Sequence, residues 1–153
     1  MTPTLAGFIA WVYSAMGIPT AVLPSDSIWF VYAYNVANDI VDTTWACVSP
    51  TIYTLMIYNL GGSNLLNFAQ DAADAPVYKD GQTYFAYMRT KYNILGPVTG
   101  VIASASDQGT ASALEIPQAM KELTLRDLQA IKDPFGRWYV ATAQEQGSLW
   151  GAS

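Results

Sequence analysis

No Lys or Arg occurs before Lys79. The acids over the same stretch are Asp26, Asp39, Asp42, Asp71 and Asp74, so residues 1–78 hold the whole net charge of −5. The seven acids and seven bases that follow cancel. Residues 1–25 and 43–70 carry no charge at all. Such stretches must be buried in something: this chain's own core, other protein, or lipid. The charged fraction of the whole chain is 12%, about half the roughly 25% usual for soluble domains. With ten Tyr and five Trp besides, much of the uncharged surface calls for a partner.

Lipid fits poorly. Both uncharged stretches approach the roughly 20 residues that span a bilayer, but Gly17 and Pro19 interrupt the first. The second contains Asn59, Gly61, Gly62, Ser63, Asn64 and Asn67, polar groups that are costly in hydrocarbon. Neither has flanking Lys or Arg to set a topology, and Met1-Thr2-Pro3-Thr4 lacks the basic start of a secretory signal. The expectation is burial against protein. At 153 residues the chain fits a single domain with a real core.

The local signals are mainly helical. Thr2-Pro3 reads as a cap followed by Pro at the first helical position. Leu5, Phe8, Ile9, Val12 and Met16 then recur at helical spacing, and Gly17 with Pro19 supplies a stop. Ser25, Asp26 and Ser27 are candidate caps for a second helix reaching about Val41. On it Ile28, Val31, Tyr32, Asn35, Val36 and Asp39 share one side, while Trp29, Ala33 and Ile40 share another. Apolar residues almost all round predict burial on more than one face. Ser49-Pro50 repeats the cap-then-Pro pattern before Ile52, Leu55 and Met56. Gly61-Gly62 reads as the end or a kink of this third helix, with Ser63 capping a continuation to Ala69.

Asp71 to Pro76 reads as a loop, and Thr83 to about Tyr92 as a fourth helix. Asp107-Gln108-Gly109-Thr110 is a turn signal in a stretch where small residues alternate with larger ones. Residues 101–116 therefore suit either a β-hairpin or a flexible loop. Pro117 to Glu122 suits one helical turn. Thr124 caps a short helix with Leu125, Leu128 and Ile131, and Asp133-Pro134 opens a last helix ending near Gly147. The fold class is thus a small, mainly α helical bundle in one domain. Its helical core covers about 3–95 and 117–147, its hairpin or extended arm about 98–116, and its C-terminal tail 148–153.

Catalytic chemistry finds little to work with. There is no His, so no Ser-His-Asp triad can form. Phosphate-cradle signatures are absent: Gly96-Pro97-Val98-Thr99-Gly100 lacks the required Lys. Cys47 is the only thiol, which excludes an intrachain disulfide and a Cys/His metal site. It reads as a small buried apolar residue. Asp71 and Asp74 lie three apart as a glycosidase pair could, but read better as a solvated acidic turn. Asp39 and Asp42 lie near a helix end, where carboxylates oppose the dipole and are free to meet a partner's base or solvent. An acidic chain with pI near 4.3 has no electrostatic footprint for gripping phosphates. Neither an enzyme, a cofactor, a metal nor sequence-specific nucleic-acid binding is expected.

Two runs carry a resemblance. Tyr58-Asn59-Leu60-Gly61-Gly62-Ser63-Asn64-Leu65-Leu66-Asn67-Phe68-Ala69-Gln70-Asp71 resembles a stretch of tailed-bacteriophage virion proteins. So does the C-terminal run from Lys121-Glu122-Leu123-Thr124-Leu125 through Asp133-Pro134-Phe135-Gly136-Arg137 to Leu149-Trp150-Gly151. The opening Met1-Thr2-Pro3 and the Met16-Gly17-Ile18 step also fit. The family is that of head-to-tail connector, or adaptor, proteins. The resemblance implies a virion structural protein in the neck, copied as a homo-oligomeric, dodecameric ring between a portal protein and a tail or nozzle protein. It also implies portal docking by the C-terminal segment, which holds Phe135, Arg137, Trp138, Leu149 and Trp150. An acidic lumen would repel DNA phosphates and let a genome pass without sticking. Asp39, Asp42, Asp71 and Asp74 are the candidates for such a channel or partner surface. The alternatives are another tail-completion or minor virion protein, or a membrane-active holin-like protein.

Overall fold

A computed structural model describes residues 2–96, 104–107, 110–113 and 124–145. The mainly helical expectation holds. Helix α1 (Leu5–Trp11) starts two residues later than the Thr2-Pro3 signal suggests, because Thr4 is the cap. Its backbone is extended and its hydroxyl accepts from Gly7 N at 3.0 Å, closing one of the helix's orphan donors. Tyr58 anchors the same residue: Thr4 N donates to the phenol oxygen at 3.3 Å, and the phenol donates to Thr4 O at 3.2 Å. After Trp11 the helix widens into a π turn, Val12–Met16, and Gly17 ends it at φ 68°, a conformation glycine adopts without a Cβ penalty.

A connector with buried Ile18, Val22 and Leu23 leads to α2 (Ile28–Ile40). Of the three candidate caps Ser27 is used, accepting from Trp29 N at 3.4 Å. Phe30, Ala33 and Ala37 face the core. The side bearing Ile28, Val31 and Tyr32 does not: these residues are 74%, 40% and 54% exposed. Burial of α2 on more than one face is therefore not seen within the chain itself. A one-turn helix, α3 (Trp45–Val48), buries only Trp45. That single anchor leaves Cys47 exposed, so the expectation of a buried cysteine is corrected.

Helix α4 (Pro50–Phe68) starts where Ser49-Pro50 indicates, with Ser49 Oγ accepting from Ile52 N. It then runs unbroken through Gly61-Gly62, correcting the expected end or kink. The two glycines are there for close approach. A Cβ at Gly61 would lie 2.9 Å from the Phe8 ring and 3.4 Å from Ala33 O on α2; at Gly62 it would lie 2.9 Å from the Met16 sulfur. Every residue from Met56 to Leu66 is buried, so α4 is the axis around which the other elements pack.

The end of α4 is capped by the first base-bearing helix, α5 (Tyr84–Lys91). Arg89 Nε donates to Leu66 O at 2.9 Å and its guanidinium also reaches Ala69 O, the expected place for a cation at a helix C-terminus. Before α5, a tight turn that pattern reading did not identify pairs Lys79 with Gln82. Asp80 and Gly81 take positive φ there, as a type I′ turn requires. Tyr78 then packs edge-on to Tyr84, with ring centroids 4.9 Å apart.

Strands β1 (Ser104–Asp107) and β2 (Thr110–Ala113) pair antiparallel, Ser104 with Ala113 and Asp107 with Thr110. The extended alternative for this stretch is thus a hairpin. Helix α6 (Leu125–Ala130) opens with a complete capping box between Thr124 and Asp127. Gln129 ties α6 inward, donating to Asn67 Oδ1 and Ile94 O, both at 2.9 Å. Helix α7 (Pro134–Glu145) follows and packs on α4. The expected turn at 117–122 and the tail 148–153 lie outside the described residues.

Candidate functional site

Among the described residues one carboxylate is fully buried. Asp133 is 0% exposed; its Oδ1 accepts from Phe135 N at 3.0 Å and Gly136 N at 2.9 Å, and its Oδ2 from Ser63 Oγ at 2.6 Å. Burial raises its pKa, against the hydrogen bonds from Gly136, Ser63 and Phe135 and the nearby charge of Arg137. A buried carboxylic acid is a usual starting point for a catalytic acid. Here the donors belong to the chain itself, and the group caps α7 and fastens it to α4.

The open cleft between connector residues 22–27, Trp29 and residues 70–72 has a volume of about 280 Å³, below the usual range of ligand pockets. Asp26 and Asp71 lie on its wall. Asp71 is occupied, since both its carboxylate oxygens accept from Phe85 N at 3.3 Å and so cap α5. This corrects the reading of Asp71 as a simple solvated turn residue, while Asp74 is exposed in the loop. Among the described residues no group of three His, Cys, Asp or Glu side chains is placed to hold a metal ion.

The candidate acidic surface divides into two. Asp71 sits beside the start of α2, where Ala72 N donates to Val22 O at 3.1 Å. Asp39 is exposed on the last turn of α2. Asp42 follows in the turn, where hydrogen bonds from the Thr44 side chain and backbone lower its pKa. The length of α2, about 20 Å at 1.5 Å per residue, separates these pairs. The four carboxylates form no single patch within one copy.

The candidate docking residues divide as well. Phe135 is half-buried and packs edge-on to Trp11, with centroids 5.7 Å apart, so it joins α7 to α1. Arg137 and Trp138 are exposed. Leu149 and Trp150 lie outside the described residues.

Two helices each present an exposed face that mixes apolar with polar and charged residues. On α2 the exposed residues are Ile28, Val31, Tyr32, Asn35 and Asp39. On α7 they are Pro134, Arg137, Trp138, Ala141 and Glu145. Both stripes follow the spacing i, i+3, i+4, i+7, i+11, one continuous face of a helix. Val48, Phe68, Leu95 and Leu125 are also more than half exposed. Among the described residues no helix is long and apolar enough to cross a membrane.

Family models, curated proteins and solved structures contain no match to this chain.

Proposed function

We propose that the chain is a structural subunit of a virion, an adaptor that sits as a ring between portal and tail. The observation that carries this reading is the number of large apolar side chains left in solvent by an otherwise well-packed bundle, Ile28, Leu95, Leu125 and Trp138 among them. Monomeric proteins seldom present extended apolar faces, whereas assembly subunits do. A ring subunit has neighbours on both sides and partners above and below, which accounts for low charge density combined with heavy aromatic content. The specific address comes from the resemblance of residues 58–71 and of the C-terminal run to head-to-tail connector proteins. In this reading the chain is not an enzyme, and its partners are copies of itself, the portal and the tail or nozzle protein.

The C-terminal segment supplies a direct test. Removing residues 148–153 should leave the circular dichroism melt unchanged and weaken capture of the chain by purified portal rings by about tenfold or more, the scale of losing one aromatic anchor. Undiminished capture would argue against portal docking through Trp150.

A further inference from the structure

We infer that α6 and α7 form a latch that opens from α4 as one unit while α1, α2 and α4 stay folded. The opening is a property of the bundle and does not depend on the adaptor role.

The pair is held by little apolar burial. The largest fully buried side chains lie between Phe8 and Phe85, with the single exception of Asp133. Helices α6 and α7 bury only Ala130, Val140 and Ala143 among their apolar side chains, and of these Ala143 alone joins the contiguous core. Phe135 and Tyr139 pack against that core from half-buried positions. Apolar burial is the main favourable term in folding, so the pair is held to α4 more weakly than α1 and α2 are.

The remaining ties are polar. Gln129 donates to Asn67 Oδ1 and Ile94 O, Lys132 Nζ to Ile94 O and Gly96 O, and Ser63 Oγ to Asp133 Oδ2. Opening exchanges each of these bonds for bonds to water, so each contributes little net. It also returns the buried Asp133 carboxyl to solvent, where a polar group is cheapest to keep. The bonds that shape the pair itself are local and survive: the Thr124–Asp127 capping box in α6, and Asp133 Oδ1 with Phe135 N and Gly136 N in α7. The close approach of Gly136 to Ala130 O keeps the two helices together. They therefore move as one cooperative unit.

The α4 face beneath tolerates water. Asn59, Ser63 and Asn67 follow one another at i, i+4 and i+8, on one side of the helix. The Asn59 and Asn67 amides already donate to carbonyls of their own helix, Leu55 O and Ser63 O, both at 2.8 Å. Elsewhere α4 is braced by Phe8 and Met16 against its glycines, and by Arg89 at its end, so it stays helical when the latch lifts. Opening also releases Phe135 from the Trp11 ring that holds it in the closed bundle.

Hydrogen exchange read by mass spectrometry on the whole chain tests this. Amides of residues 125–145 should exchange together, with protection about a hundredfold below that of residues 56–66. Gln129→Ala removes two of the ties and should speed the whole block by about tenfold, leaving α2 and α4 unchanged. Lys132→Met takes its place should that variant not fold. A block protected as strongly as α4, acceleration confined to the turn around residue 129, or equal acceleration of α2 and α4 would each overturn the inference.

Discussion

Phe8→Ala is expected to destabilise the chain by about 4 kcal/mol, the scale for removing a buried aromatic ring. Phe8 is fully buried and lies within 6.4 Å, centroid to centroid, of Trp11, Phe30, Tyr34 and Tyr58. It therefore joins α1 to both α2 and α4. The ring also occupies the space left by the missing side chain of Gly61. Gly61→Ala alone should destabilise despite Ala's better helix propensity of about 1 kcal/mol, because the added methyl meets the ring at 2.9 Å. Combined with Phe8→Ala, the same methyl enters the space the ring has left. The double variant should be more stable than the sum of the two losses by about 1 kcal/mol or more. Urea denaturation of the two single variants and the double variant checks this, and strict additivity would disprove the contact.

Gly136→Ala is expected to cost about 3 kcal/mol, at the upper end for overpacking. Its Cβ would lie 2.3 Å from Ala130 O and 2.7 Å from Ser63 Oγ. A backbone carbonyl cannot rotate aside as a side chain can, so α6 and α7 must separate or α7 must leave α4. Asp133→Asn is the informative comparison at the same junction. The amide oxygen can still accept from Phe135 N and Gly136 N, and its NH2 can donate to Ser63 Oγ, so its melting temperature at neutral pH should stay close to that of the original chain. Because burial raises the folded pKa of Asp133, its titration adds stability that is full below the ordinary carboxylate pKa and is lost as pH rises through the folded value. Asp133→Asn should remove that part of the pH dependence. A pH–stability profile identical to that of Asp133 would contradict the assignment.

The helix caps were the most legible part of the fold. Ser27, Ser49 with Pro50, and Thr124 with Asp127 each satisfy backbone N–H groups within three residues, so the whole interaction lies in one short window. Gly61-Gly62 was misread because a glycine pair looks the same whether it stops a helix or admits a neighbour. What decides between them is Phe8, Trp11 and Met16, about fifty residues earlier in the chain. Asp71 and Arg89 were missed as caps for the same reason: each serves a helix it does not belong to.

The candidate site was legible as composition and not as geometry. Low charge and abundant aromatics pointed to interfaces, and the near-continuous apolar character of α2 pointed to a second buried face. That Ile28, Val31 and Tyr32 face outward depends on how the helices pack. The base-free first half gains a physical meaning from this packing. Through α1 to α4 the chain supplies no cation, so its own α5 must cap α4 through Arg89.

The neck role is tested most directly by electron microscopy of virus particles assembled without this chain. The prediction is full or leaking heads that lack tails, with tails restored when the chain is supplied in trans. Intact, infectious, tailed particles formed in its absence would contradict it.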